Sequence, residues 1–316
     1  IICGGRCGLK ILSMVCVIII IVNITGFVVG YYFSKRITNP KTTSYEEHYN
    51  NEKKFHPDVI KTYEEIEKEE VSIDSVYGYK LHGIFFPNKT VDKVIILSHG
   101  ITANLWDMLK YGFLYIPRGF SILAYDHRYH GLSGGKNTSL GYYEKDDLKS
   151  CVDWIRNKYG KNTKIGIHGE SMGSAIVVEY LGVYDDVEFA VDNCGFTSFV
   201  EEAKFLLKKY CHIKLNMLQS FVIFFASKIT KLRCGWSFNQ VEPIRAIKNV
   251  KTPMLFIHGG CDNIVPCEMC KAIFYAKQYG IRDKFEVKDA DHTDALDKDK
   301  DGYVNHLNKF LDSVGM

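Results

Sequence analysis

The stretch Lys164-Ile165-Gly166-Ile167-His168-Gly169-Glu170-Ser171-Met172-Gly173-Ser174-Ala175-Ile176-Val177-Val178 decides how this chain folds. A short apolar β-type run passes through Gly-x-Ser-x-Gly into an apolar helical run. A strand that turns this sharply into a helix holds the central residue in a strained conformation and needs glycines on either side, where a Cβ would collide with the neighbouring backbone. The serine hydroxyl is then lifted above the sheet at the positive end of a helix, where a developing oxyanion is stabilised. That is the local geometry of a serine nucleophile.

Working outward, strand and helix patterns alternate along most of the chain. Residues 71–76 and 81–86 alternate around Tyr77-Gly78 and predict a hairpin. Buried-type strands follow at 93–98, 120–125, 164–168, 189–192, 253–258 and 284–287. Helical patterns follow at 105–115, 142–158, 174–181, 266–279 and 303–311. Antiparallel strands leading into βαβ units predict an α/β fold with a mostly parallel sheet covered by helices on both faces. The alternation breaks over 198–241, where Phe205-Leu206-Leu207, Phe221-Val222-Ile223-Phe224-Phe225 and Trp236 predict a helical cap insert over the carboxyl edge of the sheet.

The amino-terminal region has a different character. Residues 9–33 are almost wholly apolar, and 11–33 carry no charge, which is long enough to cross a hydrocarbon core as one helix. Arg6 and Lys10 precede the run and Lys35 and Arg36 follow it, so the flanking charges assign no orientation. No small-x-small cleavage pattern follows the run. The expectation is a single-pass membrane anchor at 9–33, a polar tether at 34–70 and a catalytic-type domain at 71–316. The net charge of +3, with no basic stripe interleaved with aromatics, argues against nucleic acid as a partner.

Serine needs a base, and the base needs an orienting carboxylate. Asp262 follows the strand at 253–258 and His292 follows the strand at 284–287, so Ser171, Asp262 and His292 occur in order, each beyond the carboxyl end of a strand. Asp192 is a rival acid at the end of its own strand. His99, His127, His130 and His258 are rival bases, read as structural or solvated. Two backbone N–H groups are needed for an oxyanion. Met172, directly after the serine, supplies one, and Ile101 in Ser98-His99-Gly100-Ile101 supplies the other. This chemistry requires no metal or organic cofactor. Cys267-x-x-Cys270 has no second ligand pair and reads as core thiols. Asp297-x-Asp299-x-Asp301-Gly302 lacks the acid that closes a calcium loop and reads as a solvated helix start.

The motifs His99-Gly100, Tyr125-Asp126-His127-Arg128-Tyr129-His130-Gly131-Leu132-Ser133, Gly169-Glu170-Ser171-Met172-Gly173, His258-Gly259 and Asp291-His292 together resemble the α/β-hydrolase superfamily. Within it the chain is similar to membrane-anchored serine hydrolases of the serine aminopeptidase and acyl-hydrolase branch. The resemblance spans about 71–311. It implies a Ser171–Asp262–His292 triad, an oxyanion pair at Ile101 and Met172, and Asp126 and Arg128 as turn-stabilising residues. Family members often place Gly-Asp where this chain has Gly260-Cys261-Asp262. The activity expected is cleavage of an acyl ester, with a lipid or lysolipid among the candidate substrates. A peptidase or thioesterase using the same triad, or a non-catalytic binding scaffold of this fold, are the alternatives.

Overall fold

The computed structural model describes residues 3–316, with side-chain environments from Lys10 onward. A helix, α1 (Cys3–Thr38), is followed by α2 (Tyr45–Phe55) and α3 (Pro57–Glu65). The hairpin β1 (Glu69–Asp74) and β2 (Lys80–Phe86) leads to β3 (Lys93–Ser98), α4 (Leu105–Gly112), β4 (Ser121–Tyr125), α5 (Glu144–Tyr159), β5 (Lys164–Glu170), α6 (Met172–Leu181) and β6 (Phe189–Asn193). Then come α7 (Phe199–Tyr210), α8 (Asn216–Cys234), the short α9 (Pro243–Ala246), β7 (Met254–Gly259), α10 (Cys267–Ala276), β8 (Arg282–Val287), α11 (Ala295–Lys298) and α12 (Lys300–Ser313).

The eight strands form one sheet in the order β1-β2-β4-β3-β5-β6-β7-β8. β1 and β2 pair antiparallel, as does β2 with β4, and every later pair is parallel. The central strands β4, β5 and β6 are buried almost throughout, which is why they read as continuous apolar runs rather than alternating ones. Two apolar layers result. One includes Ile167, Ile176 and Tyr180 on the α5–α6 face; the other includes Leu97, Tyr111 and Phe310 on the α4–α12 face. The helix predicted over 105–115 leaves α geometry at Gly112 and continues as a 3₁₀ turn to Arg118, a turn that contains Pro117.

The amino-terminal region departs from expectation in two ways. Residues 34–70 are not a tether. Tyr45, Tyr49 and Tyr63 pack their rings around Trp106 at 4.7–5.5 Å, and Ile60 is buried, so α2 and α3 are docked on the α4 face. His48 adds a contact to Asp107 at 2.9 Å and to the Thr102 carbonyl at 3.1 Å. Charged residues dominate α2 and α3, and the aromatics spaced among them are what bind these helices to the domain.

The apolar helix also does not stop at Phe33. α1 runs on to Thr38, and its last three turns lie along α8. Cβ atoms at Gly30 would stand 2.7 Å from the Phe225 backbone carbon and 2.9 Å from the Ala226 nitrogen. That glycine is what lets the two helices approach so closely. Thr230 Oγ1 donates to Ser34 Oγ at 2.9 Å, and Arg233 reaches Ser34 and Thr38. Earlier on α1, Ile11 to Ile24 stand exposed, and the helix over Lys10–Thr38 is long and apolar enough to cross a membrane.

Candidate active site

Ser171 sits between β5 and α6 with φ 55° and ψ −116°. Such a backbone is strained for any residue with a Cβ. Its N–H donates to the Asn193 carbonyl at 2.8 Å, which holds the turn against β6. The flanking glycines meet backbone on both sides. A Cβ at Gly169 would lie 2.5 Å from the Gly173 carbonyl oxygen, and one at Gly173 would collide with the Ser98 carbonyl on β3. The Gly-x-Ser-x-Gly spacing is therefore a steric requirement of packing α6 directly over β3 and β5.

Ser171 Oγ lies 2.9 Å from His292 Nε2, and His292 Nδ1 lies 2.7 Å from Asp262 Oδ2. The structure thus brings the three side chains picked from the sequence into one hydrogen-bonded line. Asp262 also accepts the Ile264 and Val265 N–H groups at 2.8 Å through Oδ1. Burial alone would raise its carboxyl, but contacts from His258 and His292 reverse this and hold it well below the ordinary carboxylate range. Asp262 is therefore a fixed negative charge directly behind the imidazole.

All the rival residues but His258 lie elsewhere. Asp192 is buried, accepts the Gly195 N–H at 2.9 Å, and has its carboxyl pushed up by burial. His99, His127 and His130 form a buried cluster beneath the β3–α4 loop. His99 Nδ1 bonds the Gly100 carbonyl at 2.7 Å and Nε2 accepts the His127 N–H. His130 Nε2 accepts the Thr102 N–H at 3.2 Å. Burial lowers all three imidazoles, so they stay neutral and brace the loop.

That loop places Gly100 against the serine: a Cβ there would stand 3.5 Å from Ser171 Cβ. Ile101 follows immediately, and Met172 opens α6, where the first N–H groups have no intrahelical acceptor. Asp126 ties the same region together, with Oδ1 accepting the Leu105 N–H at 3.0 Å and Oδ2 accepting Leu132 N–H at 3.0 Å and contacting His82 Nδ1 at 2.8 Å.

Three neighbours complete the surroundings of the triad: His258, read from the sequence only as a rival base of structural role, and Glu170 and Cys194, to which the sequence assigned no part in the site. His258 Nε2 bonds the Val265 carbonyl at 2.8 Å and stands 3.1 Å from Asp262 Oδ2. Its spacing of four from Asp262 on one strand-to-loop segment was the available signal. Glu170 is buried with its carboxyl raised by burial, and takes a hydrogen bond from Tyr111 Oη at 2.7 Å. Cys194 lies where ligand atoms of Asp262 and His292 fall within 4.8 Å, but burial pushes its thiol well up and the two other groups already bond each other. The arrangement offers a thiol rather than a thiolate at that point.

α7 and α8 stand above the site in the region read as a cap. Between them, α1 and the β3–α4 loop lies a predominantly apolar cavity of about 340 Å³, within the size range of small-molecule sites.

A family model for the alpha/beta hydrolase fold matches residues 93–210, which holds the β3–α4 loop and the serine elbow. The chain is 33% identical over 288 residues to the uncharacterized protein YqkD of Bacillus subtilis, covering 90% of this chain and 93% of that one. A probable lysophospholipase L2 of Haemophilus influenzae is 28% identical over 106 residues, 31% of this chain and 33% of that protein. The esterase Pf2001 of Pyrococcus furiosus superposes with a TM-score of 0.68 at 23% identity, covering 89% of this chain and 98% of that structure. With this sheet order, an elbow at the β5–α6 junction, the matching family model and a relative that aligns nearly end to end, the chain belongs to the α/β-hydrolase superfamily.

Proposed function

We propose that this protein is a membrane-anchored serine hydrolase that cleaves an acyl ester through an acyl-enzyme. The observation that carries the reading is the line Ser171 Oγ–His292 Nε2 at 2.9 Å and His292 Nδ1–Asp262 Oδ2 at 2.7 Å, with the serine at the start of α6. Ser171 Oγ attacks the carbonyl carbon as His292 Nε2 takes its proton. Asp262 holds the imidazole through Nδ1 and stabilises the imidazolium that forms. The Met172 and Ile101 N–H groups receive the oxyanion. His292 returns the proton to the departing alcohol, water then attacks the acyl-enzyme, and the serine is restored.

An ester is favoured because the cavity that runs from α7 and α8 to Ile101, beside the serine loop, is predominantly apolar. Two observations support an anchor. A leader that is removed would not be built into the cap, yet Gly30, Ser34 and Thr38 of α1 pack on α8. A soluble core helix would be buried, yet the apolar run before Gly26 is exposed.

The test is fluorophosphonate labelling of the full chain in detergent together with p-nitrophenyl butyrate hydrolysis. Wild type labels and turns over, whereas Ser171→Ala and His292→Ala do neither while keeping the wild-type circular dichroism spectrum. A folded wild type that neither labels nor hydrolyses the ester sinks the reading.

A further inference from the structure

We propose that α1 is not only an anchor but one wall of the acyl-binding cavity, which takes the acyl chain of an ester resident in an anionic bilayer. This rests on the esterase and anchor readings above. The cavity is lined by Phe33, Arg36 and Ile37 of α1, by Leu207 of α7 and Ile223 of α8, and by Ile101 of the β3–α4 loop. It therefore reaches from the membrane-side helix to the loop that faces Ser171.

The relation of α1 to α8 sets the depth of the cap. Gly30 meets Phe225, Ser34 meets Thr230 and Thr38 meets Arg233, so the two helices run side by side in the same direction. Met217 precedes Phe225 by eight residues, about 12 Å of helix. The amino-terminal half of α8 consequently lies beside the exposed apolar turns of α1. The large side chains it and its N-cap turn outward there are apolar: Leu215, Met217, Leu218 and Phe224 are exposed, Met217 to 83%, with only the small uncharged Asn216 and Ser220 exposed among them. A surface continuous with a membrane-spanning helix and apolar in the same way has the bilayer as its occupant.

Charge agrees with that placement. Residues 198–241 hold seven Lys or Arg against two Glu, within a chain whose net charge is only +3. Lys35 and Arg36 close the apolar run of α1, with Arg36 at the cavity. Basic residues at this level meet anionic headgroups while the helix below them is immersed in acyl chains. An acyl chain leaving the bilayer along the α1–α8 pair enters the cavity without crossing water.

The full chain reconstituted in phosphatidylglycerol vesicles tests this with two readouts. The first is the ratio of p-nitrophenyl dodecanoate to p-nitrophenyl butyrate hydrolysis. Ile37→Trp fills the α1 side of the cavity and lowers the ratio about tenfold, whereas Phe33→Ala enlarges it and raises the ratio about threefold. Opposite shifts are not produced by loss of folding. The second is Met217→Trp, whose added fluorescence is quenched by brominated phosphatidylglycerol. Ratios unchanged within twofold in both cavity variants overturn the α1 wall. An unquenched Met217→Trp overturns the bilayer placement, and concentration-dependent cross-linking through α8 would then assign that face to a second copy of the chain. A wild type that hydrolyses neither ester fails the esterase reading itself, a result distinct from an active enzyme with an unaltered ratio.

Discussion

His258 and His292 meet the same oxygen of Asp262: the Nε2 of one stands 3.1 Å from Oδ2 and the Nδ1 of the other 2.7 Å. His258 is held in place by the Val265 carbonyl at 2.8 Å, so its proton faces both acceptors. The acid is thus clamped from behind by one imidazole while it orients the second.

Removing that clamp exposes its contribution. A hydrogen bond to a charged group stabilises by roughly 1.5–3 kcal/mol, so His258→Leu lowers kcat/KM for p-nitrophenyl butyrate by at least about tenfold. His258→Gln, which restores a donor, recovers most of the loss. Equal losses in both variants would show that His258 acts only by filling space.

The serine backbone stores strain at φ 55° and ψ −116°, a conformation that costs on the order of 1–3 kcal/mol with a Cβ present. Both Ser171→Ala and Ser171→Gly are inactive, but the glycine variant is the more stable of the two by about 1 kcal/mol. Thermal or urea denaturation in one detergent compares them directly. An alanine variant as stable as the glycine one would mean that the turn carries no strain.

Glu202 on α7 is buried, its Oε2 has no partner among the described residues, and burial, with Asp262 adding, pushes its carboxyl up to about 8. The folded protein therefore holds this proton through a pH range in which the unfolded chain, near the ordinary value of 4.5, has released it. Stability is lost as pH rises from about 4.5 towards 8 and levels off above that. Glu202→Gln removes this slope and is more stable than wild type at pH 8 by roughly 2 kcal/mol. Denaturation midpoints from pH 5 to pH 9 measure it, and parallel curves for the two proteins would refute it.

The glycines of α1 differ in what they touch. A Cβ at Gly26 meets the far edge of the Phe225 ring, which can rotate aside. One at Gly30 meets the backbone of Phe225 and Ala226, which cannot move without shifting α8. Gly30→Ala therefore destabilises the full chain in detergent by about 1–3 kcal/mol, and Gly26→Ala by less than half as much. The reverse order would place the helix contact elsewhere.

The elbow, the alternation of strands and helices, and the order Ser171, Asp262, His292 were legible because each depends on short-range signals. A tight strand-to-helix turn demands glycines at fixed offsets, and a strand buried on both faces demands a continuous apolar run. The close approach of the β3–α4 loop to the serine was legible for the same reason, since Gly100 stands against Ser171. The tether expected at 34–70 failed because α2 and α3 look polar. Their three tyrosines find Trp106 only once α4 is in place.

By itself the sequence determined the α/β architecture, the apolar character of α1 and the turn that lifts Ser171 above the sheet. These follow from backbone sterics and from hydrophobic period, which act between near neighbours. The tertiary structure alone decided that α1 docks on a helix about 195 residues later in the chain, that His258 joins the Asp262–His292 pair, and that the end of α1 lines the cavity. Such pairings depend on which surfaces the fold brings into contact, and partners separated by most of the chain leave no local period or motif to announce them.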